Sequence, residues 1–136
     1  QQKMGKSLNN HIELAATPEE TRQRVMSMVT DPQRMHRTDP GNPDVCNVFS
    51  LHKVFSPAAD VESINVECRR AGIGCVECKQ RFAGYLNSHL EPFRARRAEI
   101  GRDPDGVWDV LDDGAKRARA IAEATMRDVR DAVGLP

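Results

Sequence analysis

Four predicted helices each begin with an N-cap residue followed by a proline, and these pairs constrain the fold more than any other feature. The pairs are Thr17–Pro18, Asn42–Pro43, Ser56–Pro57 and Asp103–Pro104. Proline is favoured at the first position of a helix because the N–H that it lacks would have no intrahelical partner there. The preceding Ser, Thr, Asn or Asp accepts a hydrogen bond from the helix start. Almost nothing in the chain reads as a strand, so the sequence predicts an all-α fold, a helical bundle.

The spacing of apolar residues extends this prediction along the chain. Glu20 completes a capping box with Thr17, and the helix that starts at Ser56 should stop at Gly72. A long helix is expected over about residues 75–100, with Pro92 kinking or splitting it. Apolar residues then recur at steps of three and four over 107–133, which predicts an amphipathic last helix that ends at Gly134. Residues 31–44 hold three prolines and a glycine and are expected to form a loop.

Composition excludes some classes of protein. The chain has 136 residues, of which 39% are hydrophobic, as expected for one globular domain and not for a disordered segment. No apolar run is long enough to cross a bilayer, and no signal-like sequence opens the chain, so a cytoplasmic location without a membrane partner is expected. The formal net charge is zero, yet residues 69–97 hold seven basic side chains against two glutamates. One basic surface is therefore expected.

Three of the four cysteines lie in the stretch "CRRAGIGCVECK". With Cys46 the spacing is C-x21-C-x6-C-x2-C, through Cys68, Cys75 and Cys78. A protein of cytosolic type keeps its thiols reduced, so disulfides are not expected. A C-x2-C pair can place both sulfurs on one ion or cluster, and a structural zinc site of four thiolates is possible. Ordinary buried cysteines are the other interpretation.

The opening segment "KMGKSLNN" closely resembles the KMSKS signature of class I aminoacyl-tRNA synthetases. The segments "VMSMVTDPQR", "DPGNPDVCNVFSLHKVFS", "CRRAGIGCVECK" and "GAKRARAIAEATMRDVRDAVGL" follow in the order seen in the C-terminal part of the bacterial tryptophanyl-tRNA synthetase family. The resemblance runs from Lys3 to about Leu135. Gly5 stands where the signature has serine, which removes a hydroxyl and leaves both lysines and Ser7 in place.

The resemblance implies that residues 1–16 end a Rossmann-like catalytic domain and that residues 17–136 form the anticodon-binding domain. The loop would contact ATP through Lys3, Met4, Gly5, Lys6 and Ser7. Lys6, supported by Lys3, would stabilise the pyrophosphate that leaves when tryptophan is activated. Magnesium–ATP and tryptophan would bind only together with the preceding domain, so the isolated chain is expected to be inactive. The other partners implied are tRNA(Trp), through its anticodon, and a second subunit of a homodimer, with no DNA.

A subset of the same family holds a [4Fe–4S] cluster with nearly the same cysteine spacing. The resemblance therefore implies that Cys46, Cys68, Cys75 and Cys78 bind such a cluster, with zinc as the alternative. Two sets of basic residues are candidates for RNA contact, and each residue taken singly is more often solvated or ion-paired within the chain. They are Arg69, Arg70, Lys79 and Arg81, and in the loop Arg34, His36 and Arg37. The alternative function is a stand-alone iron–sulfur or zinc RNA-binding module without ligase chemistry.

Overall fold

The computed structural model describes residues 4–135, and these form five α-helices and no strand. The all-α prediction is thus confirmed for the described part of the chain. None of the helices there has an apolar stretch long enough to traverse a bilayer. A short 3-10 turn lies at Lys6–Leu8 and a second one at Pro43–Val45. The helices are α1 (Pro18–Met26), α2 (Asn47–Phe55), α3 (Ala58–Arg69), α4 (Cys75–Ile100) and α5 (Pro104–Val133).

Local capping bonds set where the first and last helices begin. The Glu20 amide donates to Thr17 Oγ1 at 3.2 Å, and the Thr17 amide donates to Glu20 Oε2 at 2.7 Å. The Gly106 amide donates to Asp103 Oδ1 at 3.0 Å. These bonds satisfy polar groups at the helix start that lack intrahelical partners. The capping box and the start of α5 were both predicted from the sequence, and both predictions are confirmed.

The start of α2 differs from the prediction. Asn42 and Pro43 begin a 3-10 turn, with the Asn42 side chain accepting from the backbone, and no α-helix starts there. Cys46 has extended backbone angles (φ −87°, ψ 117°), so the chain leaves the turn before it enters α2. The expected helix start at Asn42 is therefore wrong. The turn places Cys46, and not Asn42, at the N-cap of α2.

Both ends of α3 are also displaced from their predicted positions. Pro57 occupies the N-cap, in place of Ser56. At the other end the left-handed residue is Ala71, with φ 58°, and not the expected Gly72. The amides of Ala71 and Gly72 donate back to carbonyls of the last turn at 3.2 and 2.7 Å, which is the Schellman arrangement. This arrangement requires the left-handed conformation one residue earlier than the glycine.

The chain forms two compact units, which divide between Ala95 and Arg96. In the first unit, α1, α2, α3 and the first five turns or so of α4 supply one apolar core. α4 passes Pro92 without being split. The largest contributions come from side chains that are fully or almost fully buried, namely Val25, Val48, Phe49, Ile64, Phe82, Leu86 and Leu90.

The second unit consists of the last residues of α4 and the whole of α5. α5 has the predicted amphipathic pattern and ends as predicted at Gly134, which adopts φ 68°. No residue of α5 is buried. Ile121 and Val110, for example, are about 70% exposed, at 71% and 70%. The helix is thus set by its local sequence and not by an apolar core of its own.

Candidate functional site

The four cysteines come from three elements and line one cavity in the first unit. Cys46 caps α2, Cys68 lies in the last turn of α3, and Cys75 and Cys78 occupy the first turn of α4. Ile64, Ile73 and Phe49 supply apolar lining, and Thr30, Asp31 and Arg34 supply polar lining. All four cysteines are free of disulfide bonds in the structure. The fold therefore brings together side chains that lie 32 residues apart in the sequence.

The electrostatics of the cavity disfavour the ionised, thiolate form of its cysteines when no cation is bound. Burial, together with the charges of Cys46, Cys68 and Cys75, raises the pKa of Cys78 to about 12. Burial also raises the pKa values of Cys46 and Cys68, although Arg34 acts against this at Cys68. At neutral pH these thiols are protonated unless a positive group joins them, because burial in an apolar site disfavours the charged form. A cation or cluster that binds in the cavity would therefore have to displace the protons of these thiols.

The loop at residues 31–44 closes one side of the cavity. The buried Asp31 carboxylate accepts hydrogen bonds from the amides of Gln33 at 2.9 Å and Asn42 at 2.8 Å. The Gly41 amide donates to the Cys68 carbonyl at 2.9 Å. A Cβ at position 41 would lie 2.5 Å from Cys68 Sγ, so only glycine allows this approach. The loop that was expected from its prolines is therefore a fixed wall of the site.

Two loop arginines bind the turn between α3 and α4. Arg34 Nη2 donates to the carbonyls of Arg37 and Ile73, each at 2.9 Å. Its Nη1 lies 3.9 Å from Cys68 Sγ and 3.8 Å from Cys75 Sγ. Arg37 donates to two further carbonyls, those of Ala71 and Gly72. Sequence reasoning named both arginines for RNA, and it missed the contact of Arg34 with the sulfurs.

His52 is a buried polar neighbour of the cavity that sequence reasoning did not single out. It is 0% exposed, and burial lowers its pKa. Its Nε2 lies 3.2 Å from the Cys78 carbonyl oxygen and 3.5 Å from Cys78 Sγ. Since a carbonyl can only accept, the neutral ring holds its proton on Nε2, and Nδ1 accepts from the Ser56 hydroxyl at 2.7 Å. Its helical spacing from Val48 and Phe49 on the buried face of α2 could have revealed it.

The lysine loop near the start of the chain is exposed and locally ordered. The Gly5 amide donates to Asn10 Oδ1 at 2.8 Å, which closes the segment around the Lys6–Leu8 turn. Asn9 takes the left-handed conformation, and Arg24 donates to its backbone and side-chain oxygens at 2.6 and 3.1 Å. Met4, Lys6 and Ser7 are exposed, and Gly5 is half-buried. Lys3 was the other predicted catalytic residue, and it lies outside the described residues.

Most of the basic side chains proposed for RNA contact have partners within the chain. Arg69 pairs with Asp44 at 2.7 Å, Arg70 pairs with Glu67, and Arg81 pairs with Glu77 at 2.7 Å. Lys79 donates to the Met26 carbonyl at 2.9 Å. All these side chains except Lys79 are exposed, so the ion pairs lie in water and are weak.

A groove of about 450 Å³ opens beside Cys75. It is lined by Met35, His36, Arg37, Glu77 and Gln80.

Most of the sequence matches a known protein family. The family model described as class I tRNA synthetases (W and Y) matches residues 1–91, which include the lysine loop and all four cysteines. The chain therefore belongs to the class I tRNA synthetases of the tryptophan and tyrosine family.

Individual relatives point to one member of that family. A tryptophan–tRNA ligase of Deinococcus radiodurans is 43% identical over 98% of this chain, and one of Aquifex aeolicus is 41% identical over 98%. This chain spans 41% and 34% of their respective lengths. The fold also matches a crystal structure of tryptophanyl-tRNA synthetase from Campylobacter jejuni complexed with ADP and tryptophan. That match has a TM-score of 0.84 and 26% identity, and it covers 98% of this chain and 41% of the other.

Proposed function

We propose that this chain is the portion of a tryptophan–tRNA ligase that follows its catalytic domain. The complete enzyme would activate tryptophan with ATP and transfer it to tRNA(Trp). The observation that carries the proposal is the continuity of the match, since 98% of the chain aligns with tryptophan–tRNA ligases at 43% and 41% identity. A stand-alone RNA-binding module is not supported, because those relatives are named as ligases. Residues 1–16 would end the catalytic domain, and residues 17–136 would form the anticodon-binding domain.

Lys6 is the residue that we assign to the chemical step. Activation joins the tryptophan carboxylate to the α-phosphate of ATP, and the bond from that phosphorus to the bridging oxygen breaks as pyrophosphate leaves. Negative charge grows on the leaving group, and an exposed ammonium on a short loop can move to meet it. Lysine suits this role as a compact charge on a flexible stem. Lys3, Met4, Gly5 and Ser7 would complete the contacts of the loop with magnesium–ATP.

The preceding catalytic domain would supply the remaining contacts with ATP and tryptophan. The related structure that binds ADP and tryptophan supports those two ligand classes. An isolated lysine loop cannot orient two substrates, and orientation supplies much of the rate. We therefore expect this chain alone to be inactive. The complete ligase would be a cytoplasmic homodimer.

The anticodon would bind near the groove beside Cys75. Arg37 and His36 line this groove, and their side chains suit phosphates and base edges. Arg69, Arg70 and Arg81 lie exposed on the neighbouring segments and could exchange their weak ion pairs for phosphate contacts. An anticodon is single-stranded, so its bases are free to enter such a groove.

The four cysteines would supply the four thiolates that a [4Fe–4S] cluster takes, and we propose them as its ligands. Within residues 4–135, no three His, Cys, Asp or Glu side chains are placed to hold a single metal ion. The free space is about 20 Å³, so the thiols must move apart on binding. A bound cluster would tie α2, α3 and α4 together at the cavity; zinc is the alternative occupant.

Two measurements test the proposal. The complete protein should catalyse tryptophan-dependent pyrophosphate exchange and charge tRNA(Trp), whereas this 136-residue chain should do neither. Exchange by the isolated chain, or none by the complete protein, would contradict the ligase assignment. Anaerobically purified protein should also be brown and contain iron and acid-labile sulfide in equal amounts. Colourless protein with one equivalent of zinc would replace the cluster by a zinc site.

A further inference from the structure

Arg24, on α1, ties the lysine loop to the helical core. Its Nη1 donates to the Asn9 carbonyl oxygen at 2.6 Å, and its Nη2 donates to Asn9 Oδ1 at 3.1 Å. Asn9 in turn closes the short turn that carries the lysine, because its amide donates to the Lys6 carbonyl oxygen at 3.0 Å. Two consecutive hydrogen-bonded steps therefore lead from Arg24 to Lys6.

The conformation of Asn9 suits it as the point of attachment. Its backbone is left-handed, with φ 49°, and asparagine is among the few residues besides glycine that adopt this conformation readily. Both of its oxygens accept from the same guanidinium, whose planar fork fixes direction as well as distance. Arg24 thus fixes the end of the loop, whereas Lys6, three residues earlier, stays exposed.

The helix that carries Arg24 is itself held in place. Thr21, on its buried face, is 0% exposed. Arg94 of α4 donates to Thr21 Oγ1 at 2.8 Å, and Lys79 of α4 donates to the Met26 carbonyl oxygen at 2.9 Å. Both ends of α1 are therefore bonded to α4, and Arg24 extends from a fixed helix to an exposed loop.

The carboxylate that would most readily pair with Arg24 is used elsewhere. Glu20 lies four residues earlier on α1, which is a spacing at which helical ion pairs form. Its Oε2 instead accepts from the Thr17 amide in the capping box, at 2.7 Å. Among the described residues, Arg24 directs its hydrogen bonds to Asn9 alone. The sequence of α1 thus leaves this guanidinium available for the loop.

We propose that Arg24 is a positioning residue for tryptophan activation, which holds Asn9 so that the Lys6 ammonium meets the departing pyrophosphate from a fixed point of attachment. This inference rests on the proposed function, in which Lys6 stabilises the charge on pyrophosphate. A loop that is fixed at one end samples fewer orientations than a free loop, and orientation supplies much of the rate. Because Arg24 acts through Asn9, its effect exists only while residue 6 carries an ammonium group.

The test is a double-mutant cycle in the complete ligase, measured by tryptophan-dependent pyrophosphate exchange. Arg24→Gln should lower kcat about tenfold and leave the KM for tryptophan and the affinity for tRNA(Trp) unchanged. In the Lys6→Ala enzyme the same change should have no further effect, because no ammonium remains to be positioned. Arg22→Gln is the matched control, since Arg22 is exposed, pairs with Glu19 at 2.9 Å and should leave the rate unchanged.

The outcomes separate this inference from the function beneath it. No exchange by the unchanged complete protein would overturn the ligase assignment and the role of Arg24 together. An active enzyme whose rate is the same in Arg24→Gln would overturn only the role of Arg24. A loss that persists in the Lys6→Ala enzyme would also overturn it, because Arg24 would then act independently of Lys6.

A second variant keeps the proposal testable if Arg24→Gln does not fold. Arg24→Lys keeps the charge but loses the fork of donors, so its rate should lie between those of Arg24→Gln and the unchanged enzyme. A lowered rate in this variant, with no further loss in the Lys6→Ala enzyme, supports the proposal. An unchanged rate contradicts it.

Discussion

The lysine loop and the cysteine cavity are held by different kinds of contact. The loop at Gly5–Asn10 is held by local hydrogen bonds and anchored by Arg24, and the Lys6 side chain is exposed. The cavity is walled by segments distant in sequence, and Cys46 and Cys78 are less than 10% exposed. Proteins draw their moving parts from weakly tied, exposed segments. The comparison therefore indicates that the charge of Lys6 can move with its loop, whereas tertiary contacts hold the walls of the cavity.

The largest effect should follow from changing the loop. In the complete ligase, Lys6→Ala should lower the rate of tryptophan activation by about 100-fold or more, because it removes a charge that acts mainly in the transition state. Tryptophan and tRNA affinities should stay nearly unchanged. Pyrophosphate exchange and equilibrium binding measure the two effects. Lys116→Ala, at an exposed position of α5, is the control and should have neither effect. Equal losses of rate and tryptophan affinity would assign Lys6 to ground-state binding instead.

Changing the cavity should give the opposite pattern. Cys68→Ser should prevent cluster retention and weaken tRNA binding about tenfold, or about 1.4 kcal/mol, because the loop and the α3–α4 turn lose their shared anchor. Tryptophan activation should be spared. Iron content, tRNA titration and pyrophosphate exchange check the three parts. Val66→Ser, an exposed position two residues earlier on α3, serves as the control. A parallel loss of activation would end the division between the two regions.

A smaller effect should come from the bond that closes the loop. Asn10→Ala removes the acceptor of the Gly5 amide, a contribution of about 1 kcal/mol, and should lower activation about fivefold. Asn10→Asp keeps an acceptor oxygen and should restore most of the rate. Stopped-flow measurement of activation distinguishes them. Similar rates for both variants and the unchanged enzyme would show that the loop does not depend on this bond.

The smallest effect concerns the turn beside the cavity. Ala71→Gly relieves a left-handed alanine, which costs about 1–2 kcal/mol, but adds glycine's extra unfolded-state freedom of about 0.5–1 kcal/mol. The net result should be a gain of about 0.5 kcal/mol in the free energy of unfolding, measured by urea denaturation. Ala59→Gly, at an exposed position in the first turn of α3, should instead lose stability. A loss in Ala71→Gly would indicate that the turn is not strained.

Prediction from the sequence succeeded where a structure depends on neighbouring residues. The Thr17 cap, the Asp103 start and the Gly134 end all follow from side chains within a few positions. It failed at Asn42, where a 3-10 turn intervenes, and at Gly72, where the Schellman bonds require Ala71 to be left-handed. Which residue adopts such a conformation depends on the whole turn and its tertiary contacts.

The site shows the same division. The spacing of the cysteines identified all four cysteines that line the cavity, because ligand spacing is a local pattern. The contact of Arg34 with Cys68 and Cys75 joins residues more than thirty positions apart, and no sequence period encodes it. For His52, the spacing on the apolar face of α2 encodes burial but not the tertiary partner. Its bond to the Cys78 carbonyl exists only once α2 and α4 pack.

The bonds of the loop at residues 31–44 also determine how fast the cavity can exchange its contents. The Gly41 amide is bonded to the Cys68 carbonyl, and Arg37 is bonded to the carbonyls of Ala71 and Gly72. A group enclosed there leaves only after this wall detaches, so its residence time reports a local opening equilibrium and not the strength of the thiolate bonds alone. Chelator-driven release should then accelerate at urea concentrations well below those that unfold α4. The loop thus acts as a kinetic barrier to release from the cavity.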